Sequence, residues 1–291
     1  MSFKITTELL ENISSYIEAS NDKAIIVLFE EMHHADIAEI IDDISFDDAV
    51  YLIKLLDSEK TSAILMELDE DIREKILQNL SAKEIAEEVD ELDSDDAADI
   101  IGELSEERQE AVMSQIIDEE HVREIEELLA YDENSAGGLM AKELVKVNEN
   151  WTVLKCVREM RAQAEEITRV HSIYVVDDQD KLMGRLSLKD LLITSTKTAI
   201  SEVYIPKVDF VNVHDDLDEV SNKMRKYDLE AIPVVDDEGV LLGRITIDDI
   251  VDVIKEEADK DYQLAAGLTQ DVEADDSILE LTKARLPWLF L

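Results

Sequence analysis

Carboxylates are the residues of this chain with the most chemistry to offer. Asp95 and Asp99, in the stretch "DSDDAADI", stand one turn apart on one helix face. A second run, "DDIVDVIKEEADKDYQLAAG", carries Asp248, Asp249, Asp252, Glu256, Glu257, Asp259 and Asp261 on what reads as one long helix ending at Gly267. Carboxylates grouped in this way suit a hard, strongly hydrated cation, which takes a few carboxylate oxygens plus water and needs no dedicated cage. Two further pairs, Ser187 with Asp190 and Thr246 with Asp249, set a hydroxyl three residues ahead of an acid. Read alone, these are helix N-caps with an acid placed favourably in the first turn.

Other chemistry finds little support. Asp177-Asp178 and Asp236-Asp237 fall in turns, where Asp is favoured for backbone reasons. His33 and His34 are adjacent and point to different helix faces, and His121, His171 and His214 lack metal-ligand spacing with one another or with Cys156. The chain has no Gly-rich phosphate loop and no G-x-S-x-G elbow, so the expectation is a protein that is not an enzyme. With 72 acidic residues against 28 basic ones the net charge is -44, which repels nucleic acid and draws cations. One cysteine and an N-terminus without a signal peptide point to the cytosol, and no run of about 18 apolar residues offers a membrane span.

The acids need elements to hold them, and the first 130 residues supply these through a twelve-residue repeat. Ile44, Leu56, Leu68, Leu80, Leu92, Leu104, Ile116 and Leu128 form one series, and Ile41, Ile53, Leu65, Leu77, Val89, Ile101, Met113 and Ile125 form another. Apolar positions three apart make one helix face. Ser45, Asp57, Asp69, Ser81, Asp93 and Ser105 follow the first series by one residue and suit an N-cap. Each unit is therefore one short helix. Helices this short need neighbours, so the units stack as a solenoid-like superhelix.

A second repeat lies further on. "SIYVVDDQDKLMGRLSLKDLL" from Ser172 and "AIPVVDDEGVLLGRITIDDIV" from Ala231 align position by position. Each reads as a strand, an acidic turn, a second strand through Gly184-Arg185-Leu186 or Gly243-Arg244-Ile245, and a helix begun by Ser187 or Thr246. An amphipathic helix, Thr152 to Gln163 or Leu217 to Tyr227, precedes each, giving a β-α-β-β-α unit. These halves resemble a tandem pair of cystathionine-β-synthase (CBS) motifs. The resemblance implies an adenine-nucleotide site in which Ser187 with Asp190, and Thr246 with Asp249, hold ribose hydroxyls. Arg185 and Arg244 are the basic residues near it in sequence.

Together, the acidic repeat, the "SAGGLM" stretch at Ser135 to Met140, the CBS pair, the acidic helix and the closing "ARLPWLFL" resemble the cytosolic part of the MgtE family of magnesium channels. Lys283 and Arg285 ahead of an apolar end fit a cytoplasmic membrane boundary. The resemblance implies an α + α/β fold: an acidic all-α superhelical domain over 1–132, a first CBS motif over 133–203, a second over 204–251, a plug helix over 252–267, and a connector with the start of a first transmembrane helix over 268–291. It implies Mg²⁺ as ligand, held by Asp95, Asp99, Asp218, Asp228, Asp249, Asp252, Glu257 and Asp261, and a homodimer formed through the CBS units. It also implies a transmembrane pore domain as partner and a place on the cytoplasmic side of the cell membrane, this stretch itself being soluble. Lys255 and Lys260 interrupt the plug's acidic face. The expected function is Mg²⁺ sensing: bridging ions remove the repulsion between acidic faces and favour a compact, pore-closing state. The alternative is a CBS module sensing ATP or another adenine nucleotide, with acidity serving solubility alone.

Overall fold

Helices of eight to ten residues are marginal in water and persist only where a neighbour covers the apolar face. The computed structural model describes residues 4–164, 167 and 169–265, with backbone only for 256, 257 and 259–265. The chain divides into two units, Met1–Tyr131 and Asp132–Leu291.

The first unit runs α1 (Thr7–Glu18), α2 (Asp22–Glu30), α3 (His34–Asp43), α4 (Phe46–Leu55), α5 (Ser58–Glu67), α6 (Glu70–Asn79), α7 (Ala82–Val89), α8 (Ser94–Gly102), α9 (Glu106–Met113) and α10 (Glu119–Leu128). From α2 to α9 each helix begins twelve residues after the one before, so the repeat starts earlier than the sequence series, which begins at Ile41. All six expected cap residues occupy the N-cap. Ser45, Asp57 and Ser81 accept an amide two or three positions into the helix, and Ser81 forms a full capping box with Glu84.

Helices pack on the next but one: α3 on α5, α5 on α7, α7 on α9, and α8 on α10. The Ile41 series is the core, with Leu65, Leu77, Val89, Ile101 and Ile125 fully buried. Long polar side chains then close the helix ends. Lys60, Arg108 and His121, each the third residue of its helix, reach back to the last carbonyls of an earlier helix: Phe29 and Glu30, Leu77 and Leu80, and Val89. The Phe29, Leu77 and Val89 carbonyls also accept an amide from just past the helix, and the lysine and arginine suit the negative end of the helix dipole.

The second unit holds β1 (Val145–Asn148), α11 (Val153–Gln163), β2 (Ile173–Val176), β3 (Leu182–Leu186), α12 (Leu188–Ile193), β4 (Ile205–Pro206), β5 (Val211–Asn212), α13 (Leu217–Tyr227), β6 (Ala231–Val235), β7 (Leu241–Thr246) and α14 (Ile247–Ala265). One sheet is ordered β1-β2-β3-β4 and the other β5-β6-β7, each with a parallel first pair and an antiparallel second. The expected strands and the helices before them appear within a residue or two. The connector and membrane start over 268–291, and the helix end at Gly267, lie outside the described residues.

The two motifs exchange their leading segments. The chain ahead of the second motif, β4, pairs with β3 of the first; Ala141, ahead of the first, pairs with Arg244 of the second. Gly184 and Gly243 make this possible, because a Cβ on Gly184 would strike the Ile205 carbonyl and one on Gly243 would lie 2.6 Å from the Ala141 carbonyl. "SAGGLM" also belongs to this unit: the Ala136 amide donates to the Asp215 carbonyl at 2.8 Å, and Ala136 and Met140 are fully buried. Gly184→Ala and Gly243→Ala should each destabilise the second unit by about 1–3 kcal/mol. Urea unfolding of that unit, read by amide exchange in β2 and β6, checks this.

Candidate functional site

The acids picked out by sequence occupy helix termini and faces. Asp95 is half-buried and Asp99 exposed, one turn apart on α8, and the Asp95 carboxylate accepts the Asp96 amide at 3.0 Å. The first turn of α8 also carries Asp96, so the positive end of that helix faces a cluster of acids.

In the second unit Asp218 and Asp228 are both exposed but stand at opposite ends of α13, about 15 Å apart along its axis. They cannot share one ion within a chain. Asp228 caps that helix in the left-handed conformation, at φ 53°, which Asp tolerates better than most residues. Asp249 and Asp252 lie one turn apart on α14, Asp249 half-buried and Asp252 exposed, with Lys255 exposed one turn further on. The side chains of Glu257, Asp261 and Lys260 lie outside the described residues. Every proposed donor is a carboxylate oxygen, which matches a hard, hydrated divalent cation and not a thiophilic metal.

The hydroxyl-acid pairs behave differently from one another. Thr246 is buried and closes on Asp249: its amide donates to Asp249 Oδ2 at 2.8 Å and its hydroxyl to the same oxygen at 2.6 Å. Asp249 Oδ1 is not needed for that cap. Ser187, half-buried at the start of α12, makes no side-chain cap bond, and Asp190 lies in the first turn after it.

Sequence reasoning passed over a group on the facing strands. Tyr174 of β2 is buried, with Ser172 as the polar side chain beside its hydroxyl. Burial pushes that hydroxyl up to about 12, although Arg244 and Arg185 pull it the other way. Arg244 is buried on β7, its Nε donating to the Glu143 carbonyl at 2.6 Å. Burial, then Arg244 and Arg169, hold His171 below its ordinary value. A buried hydroxyl near two guanidinium groups suits an anionic or polar guest. The tyrosine inside "SIYVV" faces no polar residue in its own strand, so sequence carried no sign of it.

Comparison with known proteins bears on both units of the chain. The family described as the MgtE intracellular N domain matches residues 32–134, and the CBS domain matches 136–195 and 200–256. The magnesium transporter MgtE of Thermus thermophilus is 40% identical over 166 residues, which is 56% of this chain and 37% of that protein. The chain thus spans little more than a third of the length of that curated relative. A structure of the cytosolic domain of the Mg²⁺ channel MgtE in complex with ATP is 32% identical, covers 84% of this chain and 99% of its own, and superposes with a TM-score of 0.78. The soluble part of a magnesium transporter is 28% identical, covers 86% and 98%, and superposes at 0.74.

The asymmetry of the hydroxyl pairs has a direct consequence. Thr246→Ala removes the hydroxyl that donates to Asp249 Oδ2 and should speed amide exchange in the first turn of α14 by roughly fivefold, the equivalent of about 1 kcal/mol for one hydrogen bond. Ser187→Ala should leave the first turn of α12 nearly unchanged.

Proposed function

Because the chain belongs to the MgtE family, we propose that it is the regulatory region of a magnesium channel or transporter, sensing Mg²⁺ and acting on an attached transmembrane pore. The observation that carries this reading is the pairing of carboxylates one turn apart at Asp95–Asp99 and at Asp249–Asp252, in a chain of net charge -44. Each pair offers oxygen donors on one helix face, and Asp218, Asp228, Glu257 and Asp261 add to the set. With metal scarce, like charge keeps acidic surfaces apart. With metal abundant, bridging ions between the N domain, the CBS pair and the plug helix stabilise a compact state that closes the pore.

A homodimer through the CBS units is the second part of the proposal. Leu192 and Ile193 of α12 are 78% and 74% exposed, and Val251 of α14 is 54% exposed, an apolar surface that a second copy would cover. A second ligand reading is favoured by the buried Tyr174 hydroxyl near Arg244 and Arg185: an adenine nucleotide bound in the CBS unit, as the ATP complex of the MgtE cytosolic domain suggests.

Small-angle scattering across a Mg²⁺ titration, with Na⁺ at matched ionic strength, tests the sensor. The radius of gyration should fall with Mg²⁺ alone, and Asp95→Ala/Asp99→Ala or Asp249→Ala/Asp252→Ala should raise the midpoint several-fold. Indifference to Mg²⁺ combined with a thermal shift by ATP would leave the nucleotide reading in its place. Leu192→Asp should move the sedimentation coefficient from dimer towards monomer.

A further inference from the structure

The core of the first unit has one place where the repeat breaks in an unexpected direction. Every twelfth residue from 40 to 112 is Ile40, Leu52, Ile64, Ile76, Glu88, Ile100 and Val112, and all but Glu88 are fully buried aliphatics. Glu88 occupies the same core position and is 7% exposed. A charged carboxylate in such a position costs several kcal/mol unless paired.

No cation meets it. Lys54 of α4 is paired with Glu84 at 3.7 Å, Lys83 of α7 with Glu87 at 2.7 Å, Lys60 of α5 is spent on the Phe29 and Glu30 carbonyls, and Arg108 of α9 on those of Leu77 and Leu80. The other charged groups around it are acids: Glu84 and Glu87 from α7, Glu91 just beyond it, and Asp57 at the cap of α5. A cleft of ≈ 140 Å³, lined by Lys54, Leu80, Glu84, Glu87 and Glu88 among others, runs beside the carboxyl.

Among the described residues the side-chain partner of Glu88 is Thr61, itself fully buried on α5, with Thr61 Oγ1 2.5 Å from Glu88 Oε2. The same hydroxyl lies 3.0 Å from the Asp57 carbonyl, one turn back in its own helix. A hydroxyl has a single hydrogen and two acceptor sites. If that hydrogen stays on the Asp57 carbonyl, the short contact with Glu88 requires a proton from the glutamic acid. If Glu88 is ionised, Thr61 must turn its hydrogen to the carboxylate and give up the carbonyl.

We propose that Glu88 is a proton-binding site of the helical unit, neutral while it donates to Thr61, and that loss of this proton transfers the Thr61 hydrogen away from the first turn of α5 and weakens the α5–α7 contact. Burial, followed by the neighbouring acids, pushes the carboxyl to about 7, outweighing the Thr61 hydrogen bond. The site therefore changes state near neutral pH. The sign follows from linkage. The folded chain holds this proton more tightly than the unfolded chain, so the stabilisation is full at low pH and is lost as pH rises through about 7. This is the reverse of an ordinary salt-bridged carboxylate. The inference stands apart from metal binding, since none of the proposed cation donors touches Glu88.

The test compares unfolding of the 291-residue chain with Glu88→Gln and Glu88→Leu at pH 5 and pH 8 in metal-free buffer. Both variants should be more stable than the parent at pH 8. That advantage should shrink by pH 5 by roughly tenfold to a hundredfold in the folding equilibrium constant. An advantage of equal size at both pH values, or none at either, would overturn the proposal. Should either variant fail to fold, carbon-13 titration of glutamate carboxyls in the parent gives the answer. A signal coupled through space to Thr61 with a midpoint near 7 supports the site, and a midpoint in the ordinary glutamate range rejects it.

Discussion

The first unit depends on one constraint: a helix of eight to ten residues cannot stand by itself, so each must bury its apolar face against helices two places away. That requirement sets the twelve-residue spacing, which is one short helix plus a two- to four-residue turn, repeated. It also fixes where acids are tolerated. Polar side chains meet across the superhelix at sequence separations of 27 to 33, as in Thr61 with Glu88, Tyr51 with Asp22, Arg73 with Glu103 and Ser58 with Glu91. Outside these junctions the acids crowd helix N-termini, where the helix dipole favours them.

Such a scaffold carries a large negative charge because its stability comes from the aliphatic ladder and not from ion pairing. Some of the few cations are spent on helix C-termini, as with Lys60 and Arg108, and others on single acids, as with Arg73 and Glu103, so most acids must find their counter-charge in solution. A surface of that kind is suited to the two proposals above, a divalent ion outside and a proton within. Glu88 stands where the ladder and the acidity meet.

The CBS unit solves a different problem, that of joining two small sheets whose edges would otherwise be open. Each motif lends its leading segment to the other's outer strand, and the turns meet as well, the Leu182 amide donating to the Gly239 carbonyl and the Leu241 amide to the Asp180 carbonyl, both at 2.9 Å. The duplication in sequence therefore becomes a pseudo-twofold in space, and the glycine of each copy marks where the other copy's chain passes. Symmetry of backbone does not carry over to the hydroxyl pairs: Thr246 is locked to Asp249, while Ser187 is not locked to a cap.

Spacing alone determined much of this protein, because a period of twelve with cap residues in step leaves few alternatives for short helices, and two aligned copies of strand, turn, Gly-Arg and Ser/Thr-x-x-Asp leave few for the second unit. Asp95 with Asp99, and Asp249 with Asp252, were legible as pairs because residues three or four apart share a helix face whatever the fold around them. What lies between residues far apart in the chain was decided only by tertiary structure. The separation of Asp218 from Asp228 depends on which helix spans them, the meeting of Tyr174 with Arg244 depends on how two sheets face, and the packing of "SAGGLM" into the second motif depends on strand exchange. Glu88 belongs to both categories: the repeat places it in the core, but only the packed helices show that each nearby cation is already committed and that a threonine hydroxyl is its partner.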